Sequence, residues 1–261
     1  MQGQGFGLTV DDGIAILKID RPEKLNALDA GMVDTLSGLC RQIEHREDVD
    51  VVILTGTGKA FCAGGDIVAW SLENPERFGR HWVRDGHDAF DRLARLRQPV
   101  IAVLNGHALG GGLELAACAD YRIAEAHVKI GQPEAGLGII AGWSGTQRAV
   151  RRFGAQWVRR MALFGEVLTA EDARAAGIID AVAETGAGLD LARNLAARVL
   201  SRSPVASELT KMLVNAAEGE ETGRVLESLA GRIAAASDDL GEGISAFKAK
   251  RKPNFGRKGK T

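Results

Sequence analysis

The chain has 261 residues, 45% of them hydrophobic and 26% charged, with a formal net charge of -1, which fits an ordinary globular protein with a sizeable core and gives no global pull toward nucleic acid or an anionic membrane. No apolar run approaches the about 20 residues that cross a bilayer, and Met1-Gln2-Gly3-Gln4-Gly5-Phe6 has neither the basic nor the apolar region of a secretory signal. Cys40, Cys62 and Cys118 are odd in number and lack metal-ligand spacing, so no metal site is expected, and a reduced, cytoplasmic setting is.

In chain order, residues 8–10 and Ile14–Ile19 are strand-type runs around Asp11-Asp12-Gly13, which predicts a hairpin. Arg21-Pro22-Glu23-Lys24-Leu25-Asn26-Ala27-Leu28 reads as a loop. Asp29 then caps a predicted helix with Met32, Leu36, Leu39, Cys40 and Ile43 on one face. Residues 51–55 form a buried strand closed by Gly56-Thr57-Gly58, and Ala60-Phe61-Cys62-Ala63-Gly64-Gly65-Asp66-Ile67 is a small-residue loop running into a helix. Residues 77–97 are helical in pattern, marked by Phe78, Trp82, Phe90, Leu93 and Leu96.

The apolar run Val100–Leu104 predicts another buried strand, leading into Asn105-Gly106-His107-Ala108-Leu109-Gly110-Gly111-Gly112-Leu113-Glu114. Residues 121–124 and 128–131 are short strands, and Gln132-Pro133-Glu134 opens a glycine-rich loop. A helix starts near Ser144-Gly145-Thr146-Gln147-Arg148, and from Ala155 the pattern is helical except for residues 178–183. Thr169 with Glu171 and Asp172, and Ser203-Pro204, mark further helix starts. Strand–helix units come first and a helical last third follows.

Two stretches carry chemistry. Around Gly110-Gly111-Gly112 a strand gives way to a helix, where bare backbone can come close to a neighbouring group and the first N–H groups are unpaired. Ala63-Gly64-Gly65-Asp66 repeats that grammar after the strand at residues 51–55. Two such loops can each offer one N–H to an oxyanion, and the dipole of the helix beginning near Gly111 favours the same charge. Glu114 lies among Leu113, Leu115, Ala116 and Ala117. A carboxylate buried in such company is costly, which points to function over helix-dipole decoration. Glu134, after Pro133, is either its partner or a surface loop carboxylate.

These residues, with Arg21-Pro22-Glu23-Lys24-Leu25-Asn26-Ala27-Leu28 and Phe247-Lys248-Ala249-Lys250-Arg251 at the two ends, resemble the crotonase (enoyl-CoA hydratase/isomerase) family over nearly the whole chain. The resemblance implies an α/β fold: a spiral of repeated ββα units over residues 1–200, holding the CoA-thioester site, then a helical C-terminal region, 201–261, used in oligomer contacts. It implies an oxyanion hole from the N–H groups of Gly65 and Gly111, and a hydratase pair in Glu114 and Glu134, twenty positions apart. Keeping both glutamates favours reversible addition of water to a trans-2-enoyl-CoA, with Glu114 the base toward water and Glu134 the donor of the α-proton. A double-bond isomerase of the same family, needing chiefly one glutamate, is the nearest rival.

Further implications are a CoA-binding surface from Lys24, Ala63, Asp66 and Ile67, with Lys24 and Lys59 toward phosphate. No cofactor is implied, because coenzyme A is part of the substrate. Phe247 and Lys250 match the family's C-terminal helix, which implies a homotrimer or a dimer of trimers. Gly110 and Gly112 are expected to give clearance for the thioester. Where many hydratases read Pro-Gly-Ala-Gly-Gly-Thr-Gln, this chain has Ala141-Gly142-Trp143-Ser144-Gly145-Thr146-Gln147; Trp143 either caps the acyl pocket or packs at the helix start, with packing favoured.

Other features carry less. Gly136-Leu137-Gly138-Ile139-Ile140-Ala141 has dinucleotide-type spacing but does not continue an apolar strand and lacks the acidic residue that should follow. Gly56-Thr57-Gly58-Lys59-Ala60 is no P-loop. His107 is expected to be structural and Cys62 a buried small residue, while His81 and His87 do not share a helix face. The basic tail, Lys248, Lys250, Arg251, Lys252, Arg257, Lys258 and Lys260 with Phe247 and Phe255 interleaved, offers a remote alternative, an RNA-binding protein; a solvated terminus is the simpler reading, and no nucleic-acid partner is expected.

Overall fold

The computed structural model describes residues 2–71 and 73–255. The chain opens with β1 (Gln2–Gly3), β2 (Phe6–Asp11) and β3 (Ile14–Ile19), antiparallel neighbours. Asp11 pairs with Ile14 across a two-residue turn in which Asp12 (φ 46°) and Gly13 (φ 80°) are both left-handed, the geometry that matches strand twist in tight hairpins. Asp29 caps the Ala30–Glu44 helix by accepting from the Met32 N–H at 3.0 Å, and the expected apolar face is buried.

The spiral follows. β4 (Val51–Gly56) is succeeded by β5 (Ala60–Cys62), β6 (Val100–Leu104) by β7 (His107–Leu109), and β8 (Tyr121–Glu125) by β9 (Lys129–Gly131). The first member of each pair extends a large sheet in the order β1-β2-β3-β4-β6-β8, parallel from β3 onward. The second members lie side by side, β5 parallel to β7 and β7 parallel to β9. β10 (Val167–Thr169) closes the small sheet antiparallel to β9, and β11 (Ala181–Ala183) completes the large one beside β8.

Both faces of the large sheet are covered, which is why its central strands read as unbroken apolar runs. Val52, Leu54, Ala102 and Leu104 share a core with Leu36 and Ile43 of the Ala30–Glu44 helix and Phe90 and Leu93 of the Arg84–Ala94 helix. Val51, Ile53, Ile101 and Val103 face Ala192 and Ala196 of the Gly188–Leu200 helix. Two expectations change: residues 107–109, read as glycine loop, pair as β7, and residues 167–169, read as helix, pair as β10. Three-residue strands are too short to show alternation, and only the neighbouring strand reveals them.

The described residues divide into two compact units meeting between Lys211 and Met212. In the first, the Lys211 ammonium is buried, 2.7 Å from Asp120 and 2.9 Å from the Gln98 carbonyl. In the second, helices Thr222–Ala235 and Asp238–Lys248 pack together. Arg251 pairs with Glu242 at 2.6 Å, and the Asn254 N–H donates to the same carboxylate. Those two donors hold the Glu242 carboxyl down to about 2. Among the basic-tail residues, Arg251 is thus committed within its unit, and Arg257, Lys258 and Lys260 lie outside the described residues. No helix among the described residues is long and apolar enough to cross a membrane.

Candidate active site

The C-terminal ends of three adjacent parallel strands, β5, β7 and β9, converge on one place. Gly65 lies just beyond β5, Gly111 and Glu114 just beyond β7, and Glu134 just beyond β9. All four line a single pocket of about 50 Å³. The side chains completing it are Trp70, Phe78, Trp82, Val83, Ile139, Ile140 and Trp143.

Each glycine has its own reason to be there. Gly64 is left-handed (φ 97°), and the Gly111 backbone lies so close that a Cβ on Gly111 would stand 3.2 Å from the Gly64 Cα. The two glycine loops therefore touch. Gly110 turns the chain at φ 55°, beside the Glu134 carboxylate. A Cβ on Gly112 would stand 2.0 Å from the Cys62 carbonyl oxygen. The clearance Gly112 provides is therefore for the neighbouring strand's backbone and not for a thioester. Gly111 is the first residue of its helix, so its N–H has no intrahelical acceptor. Neither it nor the Gly65 N–H donates a hydrogen bond among the described residues.

The two carboxylates are held differently. Glu114 is buried, and its Oε1 accepts from the Trp143 and Gly145 N–H groups, both at 2.7 Å. Ser144, between those donors, has φ 80°, which lets two N–H groups flanking one residue converge on one oxygen in a small anion-binding nest. The Ser144 hydroxyl lies 3.3 Å from the His87 ring. Glu134 is also buried, but neither of its oxygens has a hydrogen-bond partner among the described residues. Burial pushes the Glu114 carboxyl up to about 8, the Glu134 charge adds to the shift, and the two N–H donors and Arg148 oppose it. Burial raises Glu134 as well. Two carboxyls raised by burial and facing one small pocket, with two unused N–H donors beside them, can move a proton to or from a group whose charge the donors hold.

The residues expected to bind CoA lie along one rim. Lys24, Ala63 and Ile67 are exposed. Asp66 is not: it caps the short Ile67–Trp70 helix, accepting from the Val68 N–H at 3.1 Å, and pairs with Arg21 at 3.0 Å. Trp143 both packs and lines the pocket. It is buried, meets Phe90 edge-on at 5.1 Å, and donates its indole N–H to the Trp82 carbonyl at 2.9 Å. His107 is structural as expected, its Nδ1 accepting from the Lys129 N–H. Cys62 is fully buried and its thiol is pushed up to about 12, no nucleophile. No cluster of metal-ligating side chains occurs among the described residues.

Sequence reasoning missed the aromatic wall and the clamp on Glu114. Trp82 was visible only as a helix marker. The clamp is made of backbone, and only the Ser144-Gly145 position could have hinted at it.

Residues 9–258 match the Enoyl-CoA hydratase/isomerase family. The chain belongs to that family, the crotonases. The crotonyl-CoA hydratase of Syntrophomonas wolfei is 35% identical over 253 residues, covering 95% of this chain and 96% of the relative. The (E)-benzylidenesuccinyl-CoA hydratase of Thauera aromatica is 33% identical, covering 95% of this chain and 97% of its own. The crystal structure of an enoyl-CoA hydratase from Bacillus anthracis superposes with a TM-score of 0.80 at 32% identity, over 96% of this chain and 98% of that one. The ββα spiral with a helical C-terminal region is thus the crotonase fold. These two relatives are named for very different acyl groups, so crotonase membership leaves the acyl group open.

Proposed function

We propose that the protein is an enoyl-CoA hydratase, adding water reversibly across a trans-2-enoyl-CoA thioester. One observation carries the reading: Glu114 and Glu134 share a water-sized pocket with the two unused glycine N–H groups. The Gly65 and Gly111 donors hold the thioester oxygen as negative charge builds there. Glu114, its Oε1 clamped, takes a proton from water as the water oxygen bonds to the β-carbon. Glu134, whose carboxyl burial raises, gives its proton to the α-carbon. The proton gained by Glu114 balances the one Glu134 loses, and solvent exchange resets the pair. A carboxyl raised to about 8 is a stronger base than an ordinary carboxylate once ionised.

The reading needs no cofactor, since coenzyme A arrives as part of the substrate. The exposed rim of Lys24, Ala63 and Ile67 suits its adenine and pantetheine, with Lys24 and Lys59 near its phosphates. Asp66 supports that rim by fixing Arg21 and the start of the Ile67–Trp70 helix. A cytoplasmic homotrimer or dimer of trimers accords with the family resemblance.

A panel of short, medium and aromatic enoyl-CoA thioesters, read by mass change, tests the reading. A gain of one water is the expected result. An unchanged mass with a moved double bond identifies the isomerase, and no turnover across the panel removes both.

A further inference from the structure

We propose that Trp82 sets the length of acyl chain this protein accepts, by standing between the carboxylate pocket and a larger chamber behind it. The proposal deepens the hydratase reading and rests on it only for the thioester as ligand. The pocket holding Glu114 and Glu134 measures about 50 Å³, room for little more than water. A chamber of about 350 Å³, open to solvent on one side, lies next to it, and the residues lining both spaces are Trp70 and Trp82. At roughly 30 Å³ for each water-sized group, that chamber has room for on the order of ten.

Trp82 sits where an acyl chain leaving the thioester would pass. Its indole lies so close to Gly65 that a Cβ there would stand 2.7 Å from the Trp82 ring. Its ring centroid is 4.8 Å from that of Trp143. Trp143 is the fixed side of this contact, being buried, held by its indole hydrogen bond and packed on Phe90. Trp82 is the side with space behind it. It is half-buried and is carried on Phe78–Val83, a π-wound stretch of helix of the kind that recurs at functional sites.

The chamber fits a hydrocarbon tail. Ala30, Gly31, Val33 and Ala69 give it small and apolar walls. Of the charged side chains around it, Glu73 pairs with Arg77 at 2.7 Å and Asp29 with Arg21 at 3.2 Å, His81 lies 3.7 Å from Asp85, and Asp34 is exposed at its edge. With the Trp82 indole in place the wild-type protein takes short acyl groups; with it removed the two spaces join.

The test uses Trp82→Ala and Trp82→Phe in the full-length protein. Turnover of decenoyl-CoA is compared with that of crotonyl-CoA, and calorimetric binding of decanoyl-CoA with that of butanoyl-CoA. In Trp82→Ala both long-to-short ratios should rise by about tenfold or more, since each buried methylene discriminates measurably. Trp82→Phe should give a smaller rise in the same direction and carries the test if the alanine variant does not melt cooperatively. Unchanged ratios in a folded variant overturn the proposal, as does a wild-type protein that binds decanoyl-CoA as tightly as butanoyl-CoA. A shifted binding ratio without hydration in any variant upholds the role of Trp82 and removes the hydratase reading instead.

Discussion

Glu114 is stabilised in position and destabilised in charge. Two N–H donors fix one of its oxygens, yet burial and Glu134 lift its carboxyl to about 8. The folded protein therefore holds a proton that the unfolded chain releases in the ordinary carboxylate range. Between that range and about 8 the folded state binds more protons than the unfolded state, so stability falls as pH rises through that window. Glu114→Gln removes this penalty while keeping an oxygen for the clamp. Its advantage in melting temperature over wild type should grow from about pH 5 to about pH 8, approaching a few kcal/mol in unfolding free energy. A melting difference independent of pH would contradict the shift. Activity should move the other way: Glu114→Gln and Glu134→Gln should each lower kcat by roughly 10²–10⁴, followed as loss of enoyl absorbance. Either variant with wild-type turnover takes that residue out of the proton transfer.

At the scale of elements, the loop from Arg21 to Leu28 depends on one buried side chain. Asn26 is left-handed (φ 59°) and fully buried. Its Oδ1 accepts from the Arg21 N–H at 2.9 Å, and its Nδ2 donates to the Thr57 and Ala60 carbonyls at 3.0 and 2.7 Å. It thus pins the exposed rim to the turn between β4 and β5. Asn26→Ala should cost on the order of 3 kcal/mol in chemical denaturation, from lost hydrogen bonds, stranded carbonyls and a strained backbone. Weaker binding of CoA thioesters should accompany it. The sequence shows how unevenly such elements can be read. The hairpin turn at Asp12-Gly13, the Asp29 cap and the doubly buried β4 and β6 follow from local chemistry alone, and the structure has them. Asn26 reads only as part of a loop, within a segment that the family resemblance assigns to CoA, and its structural role does not show because its partners lie about thirty residues away in the chain. β7 and β10 escaped for the same reason. Of the site, Glu114 was legible from its apolar neighbours, but Glu134 came from family resemblance, and the Trp143 and Gly145 donors, being backbone, leave no side-chain signature.

For the whole molecule, large apolar side chains remain bare in both compact units. In the first, Phe164 is 82% and Leu163 70% exposed; in the second, Phe247 is 85% and Ile233 74% exposed. Surface of that kind is what self-association covers. Sedimentation equilibrium should give a trimer or a hexamer, and a monomer at micromolar concentration would contradict the oligomer proposed above.

The parallel run β5–β7–β9 has a consequence for how such a protein can change. Neighbouring strands stand about 4.8 Å apart whatever side chains they carry. The gap between the Gly65 and Gly111 loops is therefore measured out by a backbone ruler, Ala60 pairing with His107 and, past a one-residue irregularity on β5, Cys62 with Ala108. Substitutions that leave this ladder intact leave the ruler unmoved. The apolar wall of the pocket is written elsewhere, in Trp70, Phe78, Trp82, Ile139, Ile140 and Trp143. The strand ladder and most of that wall thus lie on separate stretches of chain, and Trp143 joins them, its N–H clamping Glu114 while its ring lines the pocket. Point mutations at Trp70, Phe78, Trp82, Ile139 or Ile140 can reshape the wall while the ladder stays unaltered.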